Sequence, residues 1–238
     1  MMIIDFHSHL LPCVDHGSQS IEESIEMLRI MKSQGIDAVV ATPHFYADEE
    51  FPEEFLKRRK VGAENLMKAI EGLAGEDFPH IYLGAEVAYY RGMSQSRALK
   101  DLAIQGTKAI MVEMPMGKWT NAMYDELEQI YNQQGLIPIV AHVDRYLTPL
   151  RDFGIPGKLA ELPVIVQANA SFFLKKNMVK KAKKLLARDL IHVLGSDTHN
   201  LDDRAPNLGP ALKVINEGLG PDIFERIESW QKQVLRYE

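Results

Sequence analysis

Short apolar runs rich in Val, Ile and Ala recur along this chain, and each is followed by a stretch patterned as a helix. The runs cover residues 3–6, 36–41, 81–85, 108–112, 136–141, 163–167 and 190–195. Uninterrupted apolar runs alternating with helices read as parallel strands buried on both faces, because each crossover helix covers the sheet it returns along. Seven such units predict an α/β chain curled into a distorted (β/α)7 barrel, close to the TIM form. An open doubly wound sheet is the alternative.

Helix signals fill the gaps. Ser20-Ile21-Glu22-Glu23 is a capping box, followed by the stripe Ile21, Ile25, Leu28 and Met31 and a stop at Gly35. Residues 52–73 predict a long charged helix with Phe55, Leu66 and Ile70 turned inward. Further helices are expected over 95–102, 121–134, a stretch interrupted by Pro149 and Pro156, a basic segment 176–188, and 205–218 and 221–235. At 238 residues, with no linker or low-complexity tract, the expectation is one domain over 1–238 with a sizeable core.

Composition narrows the classes. A net charge of −6 gives no reason to expect nucleic-acid binding. A single cysteine forms no internal disulfide and fits a reducing compartment. No secretory leader pattern and no membrane-length apolar run is visible, so a cytoplasmic chain without membrane insertion is expected. The oligomeric state is not legible here.

The ends of the runs carry the chemistry. His7, His9, His44, Glu86, Glu113, His142, Asp197 and His199 all fall at or just after a predicted strand end. In barrels that rim is where active sites lie. His7 and His9, one residue apart, leave their strand on the same side. So many imidazoles and carboxylates on one rim would repel and desolvate one another unless cations were bound. Nitrogen and oxygen donors without thiolate suit manganese, zinc, iron or cobalt. Eight or nine ligands exceed the needs of one ion, so two or three divalent metals are expected. Adjacent ions bridged by a carboxylate favour in-line displacement at phosphorus. Arg145, three residues after His142, and Arg204, five after His199, add guanidinium forks for phosphoryl oxygens. Metals with arginines on one rim point to a phosphomonoester. Taken singly, Arg145 reads as well as a surface ion pair with Asp144.

His7-Ser8-His9, Thr42-Pro43-His44, the stretch from Ala141 to Tyr146 and Gly195-Ser196-Asp197-Thr198-His199 resemble the signature blocks of the polymerase-and-histidinol-phosphatase (PHP) superfamily. The wording from Asp5 to Pro12, followed by Asp15 and Gly17, is similar to the bacterial manganese-dependent protein-tyrosine phosphatases of capsule and exopolysaccharide operons, the CpsB-like group. That resemblance runs nearly the whole chain. It implies a first metal on His7, His9, Glu86 and Asp197, a second on Glu86, Glu113 and His142, and a third on Asp15, His44 and His199. It implies that Arg145 and Arg204 bind the phosphate, and that metal-held hydroxide attacks phosphorus directly. The implied substrate is phosphotyrosine in the tail of a tyrosine kinase controlling polysaccharide export. Two departures stand out. His16 replaces the second residue of the family's usual Asp-Asp-Gly, and Val143-Asp144 stands where Pro-Glu is usual.

Plainer roles compete at several positions. His80 and His192 sit at strand starts, on the stability face of a barrel. His16 reads first as an exposed loop histidine, with ligation or proton donation as alternatives; Asp144 is a second proton-donor candidate. Cys13 would need an arginine six residues on to act as a tyrosine-phosphatase nucleophile, and Gln19 stands there, so it reads as a passive thiol. The lysines from 175 to 184 read as a solvated helix face, with docking of an acidic tail as the alternative. Phe172, Phe173 and Tyr46 wall the site or pack between helices. Three rival functions remain. One is a small-molecule phosphatase for histidinol phosphate or a sugar phosphate. Another is an amidohydrolase, disfavoured because Glu86 and Glu113 stand where that class carries a lysine. The third is a non-catalytic, metal-stabilised adaptor for the kinase.

Overall fold

The computed structural model describes residues 2–73, 75–147 and 154–235. The chain opens with β1 (Ile4–Ser8), α1 (Ile21–Ser33), β2 (Ala38–Ala41), β3 (His44–Phe45) and α2 (Pro52–Glu71). Then come β4 (His80–Leu83), β5 (Glu86–Ala88), α3 (Leu99–Leu102), β6 (Ala109–Glu113), α4 (Asn121–Gln129) and β7 (Ile137–Val140). The remainder is α5 (Gly154–Leu159), β8 (Ile165–Asn169), α6 (Ala170–Leu174), α7 (Val179–Ala187), β9 (Val193–Gly195), α8 (Leu208–Leu219) and α9 (Asp222–Leu235). Ser20 caps α1 as expected, its hydroxyl accepting from the Glu23 amide at 3.1 Å. The Glu23 carboxylate reaches the Gln19 amide rather than that of Ser20.

All strand pairs are parallel. β1, β2 and β4 form one sheet, and β3, β5, β6, β7, β8 and β9 follow one another in the other. Two predicted strands are each split: β2 and β3 flank Thr42-Pro43, and β4 and β5 flank Gly84-Ala85. Pro43 has no amide to donate, so the ladder cannot run straight through it. The halves stay joined, because Gly84 N donates to Ala41 O and Glu86 N to Pro43 O. The Arg59 guanidinium caps the free Gly84 carbonyl at 2.8 Å. Seven staves therefore survive among the described residues, two of them bent. β9 returns to β1 through a parallel bridge, Ser8 to Thr198, with Asp197 N donating to His7 O and His9 N to Thr198 O. The curled sheet meets its own first strand, as the seven-unit pattern predicts.

One irregularity aims the site. Ile4 pairs with Ala38 and Asp5 with Val39, but Ser8 pairs with Ala41, so β1 carries one extra residue against β2. A single insertion reverses the in-out alternation beyond it. Ile4 and Phe6 pack in the axial cluster with Val40, Met111, Ile139 and Val193, plugged from below by Val234 and Leu235 of α9. Past the shift, His7 and His9 turn to that same axial side. Outside the sheet, Met27, Leu28, Leu66, Val112, Phe172 and Ile215 bind the helices to it. Each such large side chain, fully buried, contributes about 1.5–3 kcal/mol relative to exposure.

Some boundaries differ from expectation. The sixth strand reaches Asn169 rather than ending at Gln167, and leads into α6, which lacks the period that would announce it. The segment expected as a helix over 95–102 is a 3-10 turn at Met93–Gln95 followed by α3. Pro149 lies outside the described residues. Phe172 and Phe173 are buried in the core edge to face, so they pack and do not wall the mouth.

Candidate metal centre

The barrel brings all eight strand-end residues to one mouth. Glu86 stands in the middle. Its Oε2 lies 3.1 Å from His7 Nε2, 3.3 Å from His9 Nε2 and 3.1 Å from His44 Nδ1, and its Oε1 is 2.9 Å from His142 Nε2. Glu113 Oε1 is 3.2 Å from His142 Nε2, and Asp197 Oδ1 is 3.5 Å from the Nε2 atoms of both His7 and His9. His199 joins from the far side, its ring 3.9 Å from that of His9. Donor atoms gather as His7, His9 and Asp197, as His44, Glu86 and Glu113, and as His9, His44 and His199, each group within 4.8 Å. Asp15 is at the mouth too, but turned to the back of His9: its Oδ2 accepts from His9 Nδ1 at 2.7 Å and from the His44 amide at 2.9 Å.

Backbone placement has a local cost. His142 and Asp197 follow their strands with φ of 31° and 55°, in the left-handed region that L-residues with bulky side chains avoid. The Gln167 side chain holds the first: its Oε1 accepts the His142 amide at 2.5 Å and faces His7 Nδ1 at 3.4 Å. Two glycines make the room. A Cβ on Gly195 would stand 2.5 Å from His7 Cβ, and one on Gly17 would stand 2.2 Å from the His9 carbonyl oxygen.

The electrostatics fit divalent cations. Burial alone would neutralise Glu86 and Asp197, yet the surrounding histidines, with Arg145 beside Asp197, outweigh it and hold both carboxyls far below the usual range. In return His142 rises to about 9, burial being overcome by its bonds to Glu113 and Glu86, and His9 rises as well through Asp15, Asp197 and Glu86. The carboxylates thus recruit positive charge. Burial keeps His44 near 4 and His199 near 3, so both are neutral imidazoles, the form that ligates metal. His44 Nδ1 and Glu86 Oε2 are buried and lack hydrogen-bond partners. Groups left so, beside bonded ones, fit ligands facing an ion.

The competing reading of Arg145, a surface ion pair with Asp144, is not what forms. Arg145 Nη2 bonds Asp197 Oδ2, and Arg204 Nη2 bonds Asp197 Oδ1 at 2.7 Å, leaving each guanidinium about one-third exposed at 32% and 33%. Asp144 instead accepts the Asn169 amide at 2.9 Å, and burial pushes its carboxyl up. The arginines, Asp144, Asn169, Lys175 and Asp197 line a cleft of about 280 Å³ beside the clustered donors. A larger groove, about 590 Å³, lies between α2 and the exposed Cys13 and holds none of the clustered donors, which fits the passive reading of that thiol.

Three site residues lacked a role in the sequence reading. Gln167 and Asn169 form a relay, Gln167 Nε2 to Asn169 Oδ1 at 3.1 Å and Asn169 Nδ2 to Asp197 Oδ2 at 2.9 Å. Their signal was two amides at and just past the end of an apolar run. Asp5, raised to about 6 by burial, accepts the Ser196 amide at 2.8 Å and so ties β1 to the Asp197 segment. His16 is exposed but belongs to the mouth, its ring 4.7 Å from His44. Tyr46 stacks on His44 at 5.3 Å.

Comparison with known proteins agrees with this geometry. A family model described as capsular polysaccharide synthesis, CpsB/CapC, matches residues 3–235. Tyrosine-protein phosphatase CpsB of Streptococcus pneumoniae is 30% identical over 233 residues, 92% of this chain and 91% of that protein. Tyrosine-protein phosphatase CpsB of Streptococcus agalactiae is 28% identical over 232 residues, 92% of each. A structure described as YwqE from Bacillus subtilis and CpsB from Streptococcus pneumoniae, unique metal-dependent tyrosine phosphatases, superposes with a TM-score of 0.80. The identity there is 24%, over 98% of this chain and 94% of that one, and the likeness is one of fold. Among the described residues no helix is long and apolar enough to cross a membrane.

Proposed function

The chain belongs to the CpsB/CapC family of capsular polysaccharide synthesis, and on that premise we propose that it is a metal-dependent protein-tyrosine phosphatase. Its substrate is the phosphotyrosine tail of an autophosphorylated tyrosine kinase, met in the cytoplasm. The observation that carries this reading is Glu86, met by four imidazoles, with two guanidiniums on Asp197 at the same rim.

His7, His9, Glu86 and Asp197 would hold one ion, Glu86, Glu113 and His142 a second, and the corner with His44 and His199 a third, with Asp15 behind it on His9 Nδ1 and the His44 amide, manganese being the expected metal. Such ions supply a nucleophilic hydroxide near neutral pH and shield phosphoryl charge. The protein's own side chains do the rest. Arg145 and Arg204, already at the cleft, exchange part of their grip on Asp197 for the phosphoryl oxygens, where charge gathers in the transition state. Gln167 and Asn169 keep His7, His142 and Asp197 aimed while that exchange occurs. Tyr46 offers a face to the substrate's phenyl ring beside His44. Asp144, whose protonated form burial favours and which lines the arginine cleft, is one candidate proton donor, and His16 at the mouth is the other. A tyrosine leaving group, with a pKa near 10, asks little of either.

The test is kinetic. Chelation of the purified chain is expected to abolish hydrolysis of a phosphotyrosine peptide, and manganese to restore it. kcat/KM on that peptide is expected to exceed that on histidinol phosphate or sugar phosphates by on the order of 100-fold. A reversed preference would move the chain to the small-molecule class. Kinase dephosphorylation that persists in Glu113→Ala would argue for an adaptor contaminated by another phosphatase.

A further inference from the structure

The imidazoles of the mouth are unequally committed. His9 donates Nδ1–H to Asp15 at 2.7 Å, and its Nε2, 3.1 Å from His7 Nε2 and 3.3 Å from Glu86 Oε2, faces the first ion position. Asp15 is committed as well, because Oδ2 accepts from His9 and the His44 amide while Oδ1 accepts the Gly17 amide at 2.9 Å. Its carboxylate stands behind the His9 ring, where it orients that ligand. His199 donates Nδ1–H to the Asp197 carbonyl at 3.0 Å, which leaves its Nε2 lone pair bare. That lone pair meets His16 Nε2 at 3.1 Å. The His16 ring lies over His44 at 4.7 Å and 18°, and 4.8 Å from His199. Two nitrogens each about 2.1 Å from one ion stand about 3.0–3.4 Å apart. The His16–His199 separation matches that of two ligands on a shared cation, and equally that of an N–H···N hydrogen bond.

We propose that His16, with His44 and His199, makes an all-imidazole corner whose preference for zinc or cobalt(II) over manganese exceeds that of the two carboxylate-rich positions. The proposal rests on the reading above that divalent ions occupy this mouth. Glu86, Glu113 and Asp197 furnish the hard oxygen donors that suit manganese; the corner has imidazole nitrogen donors, which suit borderline ions.

The experiment counts and ranks bound ions on the full chain, stripped by chelation and titrated with buffered zinc and with buffered manganese. Every nitrogen and oxygen site favours zinc to some degree, so the readout is the zinc-to-manganese affinity ratio of each equivalent. His16→Ala is expected to weaken one zinc equivalent by on the order of 100-fold and to remove one component of the cobalt(II) visible spectrum. His16→Asp is expected to keep the ion count and lower the zinc-to-manganese ratio of that equivalent about tenfold. His16 is exposed, so neither variant disturbs the core. Zinc binding unchanged in His16→Ala, an unchanged ratio in His16→Asp, or a chain that binds no cation overturns the proposal; the first two would leave His16 and His199 joined by a simple hydrogen bond. Phosphotyrosine hydrolysis on the same samples separates the two ideas. Manganese-supported activity with unmoved metal counts keeps the phosphatase reading and removes this one. A zinc-selective corner in a chain inactive with every metal does the reverse.

Discussion

At the strand-start end of the barrel, His192 has both ring nitrogens engaged. The Val166 amide donates to its Nδ1 at 2.9 Å, its Nε2–H donates to the Asp189 carbonyl at 3.1 Å, and its ring rests on Trp230 at 4.2 Å. At the other end, His142 and His44 are as deeply set, yet each keeps an Nδ1 without a hydrogen-bond partner, and carboxylates crowd both rings. Burial is common to both ends, so burial does not mark a site. What differs is whether the backbone satisfies the ring. His192 is a cross-strand tie, whereas the mouth histidines are held in place with lone pairs and charges to spare.

That contrast can be broken by substitution. Glu86→Gln removes the charge shared by four imidazoles and is expected to lower kcat/KM on a phosphotyrosine peptide by on the order of 1000-fold, with fewer bound ions by mass spectrometry. Arg145→Lys, which keeps charge but loses the fork, is expected to cost on the order of 100-fold in kcat/KM with ion content unchanged. His192→Ala orphans the Val166 amide and empties the space over Trp230. Urea unfolding is expected to show a loss of about 2–3 kcal/mol while kcat/KM stays within about twofold. If His192→Ala removed activity from a folded chain, the two ends would not be distinct.

The smallest effect is a pH signature of the chelated chain. Folding favours charged His142, so its contribution is complete below about 6.5 and is lost as pH rises through about 9. Folding favours neutral His44, so its contribution is complete above about 6.5 and is lost as pH falls through about 4. The metal-free Tm is expected to peak near pH 6.5 and fall by several degrees on either side; a flat profile would mean that the mouth relaxes when stripped.

The eight strand-end residues that meet at the mouth were legible because a strand covered on both faces leaves only its end for a polar group, and the apolar runs announce where each strand stops. Gln167 and Asn169 were not legible, since an uncharged amide at or just past the end of such a run has no meaning until one knows which backbone amide it faces. His16 looked like a loop residue, and by exposure it is one. Its part in the mouth comes from loop 9–19 folding back so tightly that the Ser18 amide donates to the His9 carbonyl and a Cβ on Gly17 would clash with it.

The amino-acid order alone determined the seven-unit parallel architecture, the donor types and their assignment to one rim, because hydrophobic period and residue chemistry are local properties. It did not determine which side of β1 the first two histidines take. Strict alternation from Ile4 and Phe6 would have turned His7 and His9 away from the axis. One extra residue against β2 turns them inward, and that register exists only once β2 is alongside. The same holds for the strained φ at His142 and Asp197, the split at Pro43 and the return of the Asp197 segment onto β1. Each is a compromise between neighbours distant in the chain, and only packing decides it.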